Sequence, residues 1–209
     1  MFSVTRLIDT VDELSTHALR EKLQTATSGI GADHVLVQPT LPGVRNGGDL
    51  LLHLRFTDEG QWRCHAGSLD GIMADPAVKH VNGVTYTGSP IMTTNEPGTI
   101  YRTLLLRVLP ETDDSTVARF EDDLSLLPRY VTSICSWQLS RVESATGTSQ
   151  WTHVFEQEFR DLDGLTGPYL MHPIHWAYVD RWFDPECPEV IIRDRVCHSF
   201  CAMGESVLT

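Results

Sequence analysis

The spacing of apolar residues divides the first half of the chain into six elements. Phe2 to Ile8 alternates weakly, as a half-buried strand does, and Leu14, Leu19 and Leu23 then recur at helical spacing. The predicted elements are a strand over 2–8, a helix over 12–27, strands over 34–38 and 49–56, a helical stretch over 60–81 that is interrupted at Asp75-Pro76, and a strand over 84–87. Loops rich in proline and glycine separate several of them.

The same kind of order begins again after residues 93–98, whose polar residues and proline are typical of a linker. The second half is predicted to contain a strand over 100–109, a helix over 117–127, strands over 130–142 and 151–159, helical structure over 169–183 and a closing strand over 190–200. The pattern therefore predicts an α+β protein with an internal repeat. We place an N-terminal half at residues 1–94 and a C-terminal half at 95–209.

The two halves differ in their polar residues. When Pro76 is aligned with Pro173, Ile72 falls opposite Tyr169 and Val78 falls opposite His175. The first half therefore keeps the order of elements but lacks the polar side chains. This asymmetry predicts one working half and one half that is structural.

Charge and cysteine content narrow the possible partners and the cellular compartment. The net charge is −12, so no basic patch for nucleic acid or for an anionic membrane surface is expected. The N-terminus is predicted to be a strand and not a cleavable signal, and no apolar run is long enough to span a bilayer. The five cysteines are an odd number and do not show the spacing of a disulfide framework, which fits a reducing environment. We therefore expect a cytoplasmic protein with a small-molecule substrate.

Candidate chemistry is concentrated between Tyr169 and Asp180. Pro173 is favoured as the first residue of a helix, which would place His175 in the first turn and His172 at the entry. Free backbone N–H groups at a helix start disfavour imidazolium, so His175 is expected to stay neutral, as a general base must. A phenol such as that of Tyr169 beside an imidazole forms a usable acid/base pair.

The second half resembles the stress-responsive dimeric α/β-barrel (Dabb) family. The resemblance covers roughly residues 98–201 and rests on four segments: Trp151-Thr-His153-Val with Phe159, Tyr169-Leu-Met-His172-Pro173-Ile-His175, Val179-Asp180 and Cys197-His-Ser-Phe200. It implies ferredoxin-like repeats whose two four-stranded antiparallel sheets pack into an α/β barrel. Here the tandem halves would form that barrel within one chain as a pseudo-dimer, with a further homodimer left open.

In a plant polyketide cyclase that this half resembles, the matching tyrosine and second histidine form the catalytic pair. The resemblance therefore implies Tyr169 as acid or oxyanion donor and His175 as base, in cofactor-independent enolate chemistry. The expected reaction is a cyclisation, an isomerisation or a C–C bond cleavage of a small aromatic or polyketide-like carbonyl compound. The expected supporting or substrate-binding residues are His153, His172, Trp176, Tyr178, Phe155, Phe159 and His198. His198 could face either the barrel interior or the helices.

Three alternatives remain open on sequence alone. Histidines together with Cys197 and Cys201 could ligate a metal, although their spacing matches no strong zinc pattern, and we expect no metal and no cofactor. Haem binding is known in related tandem barrels, but no residue here stands out as an axial ligand. The third alternative is a non-catalytic stress-response or ligand-binding barrel whose histidines only line a pocket.

Overall fold

The computed structural model describes residues 1–193 and 196–209. The strands are β1 (Phe2–Thr10), β2 (His34–Pro39), β3 (Leu50–Phe56), β4 (Val78–Thr87), β5 (Ile91–Met92), β6 (Ile100–Leu106), β7 (Ile134–Thr146), β8 (His153–Phe159) and β9 (Cys197–Ala202). The main helices are α1 (Glu13–Thr27), α2 (Glu59–Met73) and α3 (Asp114–Tyr130). Short helical turns cover Leu162–Gly164, Leu165–Tyr169, His175–Val179 and Asp180–Trp182.

Over the described residues, the strands form one antiparallel sheet that curls into a nearly closed barrel. The strand order is β2-β3-β1-β4-β7-β8-β6-β9, with β5 attached to β7. The expected α+β class and antiparallel barrel are therefore confirmed. The expectation of two separate sheets is wrong, because β4 pairs with the end of β7 and makes the sheet continuous.

The loop after β2 brings the two edges of the sheet together. The backbone of Arg45 exchanges two hydrogen bonds with that of His198 on β9, with N···O distances of 2.9 and 2.8 Å, and Leu41 N donates to Phe200 O. Gly47 allows this approach, since a Cβ built there would lie 2.6 Å from His198 O. This contact carries a loop of the first half onto the edge strand of the second half.

The two faces of the sheet have different roles because side chains alternate along each strand. One face points into the barrel, where apolar residues of both halves and of the C-terminal tail pack together, among them Leu7, Leu51, Leu105, Val154 and Leu208. The other face is covered by helices. In the second half, this outer face carries Ile100, Leu104, Phe155 and Phe159, which pack against α3 and the helical turns.

A buried polar network crosses the barrel interior. The Tyr101 hydroxyl donates to Glu156 Oε1 at 2.5 Å, and His53 Nδ1 lies 3.4 Å from the same oxygen. Thr5 connects His53 to the Tyr86 hydroxyl, with distances of 3.1 and 3.0 Å. The network thus links strands β1, β3 and β4 of the first half to β6 and β8 of the second.

Several element boundaries differ from the sequence-based expectations. Helix α2 ends at Met73, and β4 begins already at Val78, inside the stretch that was expected to be helical. The expected helix from Pro173 to Phe183 is observed as a continuous helical stretch over 173–182, but its hydrogen bonding is of the π type over His175–Val179 and of the 3-10 type over Asp180–Trp182. The closing strand begins only at Cys197; residues 194 and 195 of the expected strand 190–200 lie outside the described residues. In the described ranges, no helix combines the length and apolarity needed to cross a membrane.

Candidate active site

The candidate site lies on the outer face of the second half of the sheet, beneath the helical turns that follow β8. The Asp161 carboxylate caps the first turn by accepting a hydrogen bond from Gly164 N at 2.7 Å. The chain is then bent at Pro173, where Ile174 N donates to His172 Nδ1 at 3.2 Å. The ring of His172 therefore fixes the start of the turn that carries His175, and His172 does not line the cavity described below.

A cavity of about 400 Å³ opens between the sheet, helix α3, the turns and the loop after β2. This size falls in the range of small-molecule sites, which is roughly 300–1,000 Å³. Its polar lining comes from Arg45, Arg102, Tyr169, His175, Asp180 and His198, and its apolar lining from Gly43, Leu104, Leu124, Leu170, Val179, Phe183 and Val196. The cavity thus combines apolar walls with convergent polar groups.

Tyr169 and His175 are in direct contact at this cavity. Their ring centroids are 5.3 Å apart in an edge-to-face arrangement, and the Tyr169 and Phe159 rings also meet edge-on at 5.3 Å. Asp180 Oδ1 lies 3.0 Å from His175 Nδ1. The ring N–H is not aligned for a hydrogen bond to Asp180, but the negative charge at this distance favours the tautomer that carries its proton on Nδ1, which leaves Nε2 as the basic nitrogen of the ring.

Burial holds His175 in the neutral form. Desolvation is the largest cause that lowers the pKa of His175, and the charge of Arg102 lowers it further, while Asp180 opposes both effects. The direction agrees with the expectation of a neutral imidazole. The physical cause is burial beside a guanidinium, whereas the sequence argument relied on the field of a helix start.

Arg102 is a residue of the site that the sequence analysis did not identify. Its side chain projects from β6 on the same face as Leu104 and is only 4% exposed. The guanidinium lies over the Tyr169 ring at 4.9 Å from the centroid and donates to Gln157 Oε1. Burial raises the pKa of Tyr169, although the charge of Arg102 works against this. Tyr169 is therefore a neutral phenol that can donate a hydrogen bond at pH 7.

His198 also lines the cavity and lies on the helix-covered face of β9. Of the two orientations that the sequence left open, the structure has this one. Burial, followed by the charges of Arg102, Arg45 and His175, lowers the pKa of His198 to about 3. Its Nε2 atom is buried and makes no hydrogen bond. His198 is thus a neutral side chain with an unused polar atom beside the cavity.

The remaining expected site residues do not line the cavity. His153 Nε2 lies 3.1 Å from Glu121 Oε1 of helix α3, and its Nδ1 lies 2.8 Å from Thr152 Oγ1, so it joins sheet and helix. Phe155 packs edge-on against Trp137 in the core, and Phe159 supports Tyr169 from behind. Neither phenylalanine forms a cavity wall.

Trp176 and Tyr178, which were expected to support or bind the substrate, do not line the cavity either. Their side chains are 59% and 43% exposed, whereas Val179 is buried and His175 faces the cavity. Positions 175 and 179 are four apart and share the inner face of the turns, which turns positions 176 and 178 outward. The indole of Trp176 donates to Leu170 O at 2.9 Å on the surface.

Sequence reasoning also missed Arg45 and Asp180 as site residues. One signal was available for Arg102, because an arginine inside the strongly apolar run Ile100–Leu106 requires a reason to be buried. Asp180 follows His175 at a spacing that helical turns bring together. Nothing in the sequence around Arg45 indicated a site residue, because its position at the cavity depends on the closure of the barrel.

Metal binding through the histidines and cysteines finds no support. Among the residues that the structure describes, no group of three or more His, Cys, Asp or Glu side chains is arranged to hold a metal ion. Cys197 and Cys201 lie on the interior face of β9, where they join the apolar packing of the barrel, whereas His198 lies on the opposite face.

Comparison with known proteins supports the class of domain. The sequence model of the Dabb family, described as a stress responsive A/B barrel domain, matches residues 100–197. This segment, which is just under half of the chain, contains Arg102, Tyr169, His175 and Asp180. A search of curated proteins found no match.

Solved structures share the fold across almost the whole chain. An anthrone oxidase-like protein superposes with a TM-score of 0.69 at 9% identity, covering 98% of this chain and 94% of its own. A putative monooxygenase from Fusobacterium nucleatum gives 0.59 at 9% identity with coverages of 98% and 95%. A putative monooxygenase from Lactobacillus acidophilus gives 0.53 at 10% identity with coverages of 100% and 98%. At these identities the similarity establishes the fold alone.

Proposed function

We propose that this protein is a cofactor-independent acid/base enzyme acting on a small aromatic or polyketide-like carbonyl compound. The observation that carries the proposal is the contact between Tyr169 and His175 in one cavity, with Asp180 at 3.0 Å from His175 Nδ1. A base, a group that orients it and a hydrogen-bond donor are the parts that enolate chemistry requires.

In the proposed reaction, Nε2 of His175 removes a proton from the carbon next to the substrate carbonyl. The electron pair of the C–H bond moves to the carbonyl oxygen, and the Tyr169 hydroxyl donates a hydrogen bond to the enolate that forms. The resulting imidazolium faces Asp180 and can return its proton to the product. The enolate then closes a ring by adding to a second carbonyl group, or is reprotonated at another carbon. For a C–C bond cleavage, His175 would instead remove the proton of a β-hydroxyl, the C–C bond would break as the new carbonyl forms, and the electron pair of that bond would give the enolate that accepts the hydrogen bond from Tyr169.

We further propose that the chain is an intrachain pseudo-dimer of tandem ferredoxin-like repeats. The strand order β2-β3-β1-β4 in the first half corresponds to β7-β8-β6-β9 in the second, which supports this proposal. The division at residues 94 and 95 stays a prediction. The expected inactivity of the first half needs revision in one respect, because its loop contributes Gly43 and Arg45 to the cavity.

Hydrogen–deuterium exchange tests the proton transfer without knowledge of the final reaction. Anthrone is a suitable first probe, because one structural neighbour is named an anthrone oxidase-like protein and anthrone is an aromatic ketone with acidic C–H bonds. The loss of these C–H signals would be followed by NMR in D2O under nitrogen. We expect His175→Ala to slow exchange by about 100-fold or more and Tyr169→Phe by roughly 10- to 100-fold.

His17→Ala is the matched control, because His17 is an exposed histidine of helix α1 and lies outside the cavity. Exchange at the wild-type rate in His175→Ala would contradict the proposed base. Binding of the probe without exchange would favour the alternative of a non-catalytic ligand-binding barrel. An absorption spectrum of the protein purified from cells completes the test, since a Soret band would replace the cofactor-free mechanism by haem binding.

A further inference from the structure

We propose that the ligand of this cavity carries a carboxylate, which binds between Arg102 and Arg45 beside His198. The inference rests on the proposed function in one respect: the part of the ligand outside the carboxylate is taken to be a small aromatic or polyketide-like carbonyl compound. It divides the cavity into an anion subsite at His198 and a reaction subsite at Tyr169 and His175.

The first argument is the state of Arg102. A buried guanidinium is costly unless a carboxylate or a full set of hydrogen bonds compensates its charge. Within the part of the chain that the structure describes, no carboxylate lies within ion-pair distance of Arg102. Its partners, Gln157 and Tyr169, are neutral, and its Nε atom is buried without a hydrogen bond. Arg102 thus retains a charge and a donor for a ligand.

The second argument is the position of Arg45. The paired backbones of Arg45 and His198 hold this exposed residue at the rim, where it lines the same cavity as Arg102. Both guanidinium groups act on His198 and favour its neutral form. Two arginines flank a neutral imidazole whose Nε2 makes no hydrogen bond. An anion placed there would meet two positive charges.

The third argument is the charge of the lining as a whole. Asp180 is the carboxylate among the described lining residues, and it faces His175 at the other subsite. With both histidines neutral, two arginines against one aspartate leave the lining with a positive formal charge. The whole chain, by contrast, has a net charge of −12. A positive cavity in an acidic protein selects anionic ligands, and guanidinium matches a carboxylate in bidentate geometry.

Binding of two nearly isosteric probes tests the anion subsite independently of turnover. Salicylate carries the carboxylate, and salicylamide has a neutral amide in its place. Isothermal titration calorimetry on the full chain should show salicylate binding about tenfold tighter than salicylamide or better. Arg45→Gln should weaken salicylate binding by about tenfold and leave salicylamide unchanged. Arg102→Gln should remove the preference for the carboxylate.

Arg63→Gln is the matched control, because it makes the same change of charge on an exposed residue of helix α2. His175→Ala should still bind salicylate even though it should lack exchange activity, so failure of the enzymatic proposal is distinguishable from failure of this one. Equal affinity for the two probes would overturn the inference. The absence of salicylate binding at millimolar concentration would also overturn it. Unchanged salicylate affinity in Arg45→Gln would do the same, because the exposed side chain of Arg45 can be replaced without unfolding the protein.

Discussion

The role of Asp180 follows from its contact with His175. Its carboxylate opposes the effects of burial and of Arg102 on the pKa of His175. Its charge, at 3.0 Å from Nδ1, also favours the tautomer that leaves Nε2 free, although the ring is not aligned for a hydrogen bond to it. Asp180 therefore acts through His175, as a positioning residue for the proposed base.

The pH dependence of the proposed exchange reaction follows from this arrangement. A base works in its neutral form, so activity should fall on the acidic side as His175 becomes protonated, and this limb should lie below pH 6.5 because the pKa is lowered. Asp180→Asn removes the charge that raises the pKa, so the limb should move to lower pH. The maximal rate should also fall, by roughly tenfold or more, because the tautomer is no longer held.

Asp163→Asn provides the control for Asp180→Asn, because Asp163 is an exposed aspartate in the same helical region. The pH–rate profile of each variant would be measured with the exchange assay. An acidic limb that moves to higher pH in Asp180→Asn would contradict the assigned interaction.

At the scale of single residues, the sequence permitted the Tyr169 and His175 pair to be chosen but not the arginines. The pair lies in one short segment, so local spacing is enough to bring it together. Arg102 and Arg45 meet only because strand β6 and the loop after β2 converge on β9. Convergence of distant segments depends on strand register, which one sequence does not reveal.

At the scale of elements, the Asp123 carboxylate of helix α3 connects this helix to the helical turns after β8. Asp123 Oδ2 accepts from the Trp182 indole at 2.9 Å and from Arg181 at 2.5 Å. Trp182 is fully buried and packs against Phe120 of the same helix. Asp123 thus fixes the end of the segment that carries Tyr169, His175 and Asp180 over the cavity.

Asp123→Asn should therefore weaken the attachment of these turns. The buried indole keeps an acceptor, but the charge-assisted hydrogen bond to Arg181 is lost, so we expect a loss of about 1–3 kcal/mol in the free energy of unfolding. Hydrogen exchange of the backbone amides in 165–182 should become faster, as measured by mass spectrometry. Asp122→Asn, which alters the exposed neighbour on α3, should leave both quantities near wild type.

Prediction of the elements was best where the apolar pattern was long. Helix α1 was expected over 12–27 and is observed over Glu13–Thr27, with the Asp12 carboxylate accepting from Ser15 N as its cap. After Pro173 the position of the helix was predicted but its type was not, because a helical pattern of buried residues does not distinguish an α-helix from consecutive π and 3-10 segments. That difference does not change which face His175 occupies.

At the scale of the whole molecule, the order of strands and helices could be predicted, but the closure of one continuous sheet could not. The joining of β4 to β7 and of the Arg45 loop to β9 depends on backbone pairing, which leaves little mark on side-chain pattern. The polar network inside the barrel was likewise missed. His53 and Glu156 lie in segments that were predicted as strands, and neither residue was assigned a polar contact inside the barrel.

This network should make the stability of the barrel depend on the protonation of Glu156. Burial is the largest cause that raises the pKa of Glu156 to about 7, although Tyr101 and Tyr86 work against it. The other titratable or charged groups around it are His53, Arg55 and Glu158. A carboxyl whose pKa is higher in the folded state binds protons preferentially there, so its stabilising contribution is lost as pH rises from about 4.5 to 7.

Glu156→Gln removes this ionisation and keeps an acceptor for the Tyr101 hydroxyl. Compared with wild type at each pH, the variant should gain stability as pH rises from 4.5 to 8, by about 3 kcal/mol in total. Urea unfolding of both proteins across this range measures the difference. The lowered pKa of His53 acts with the opposite sign, and because His53 Nδ1 lies 3.4 Å from Glu156 Oε1, its titration is part of the measured difference. Glu111→Gln on the surface controls for the change of charge, and a Glu156→Gln difference that does not vary with pH would show that Glu156 does not titrate in this range.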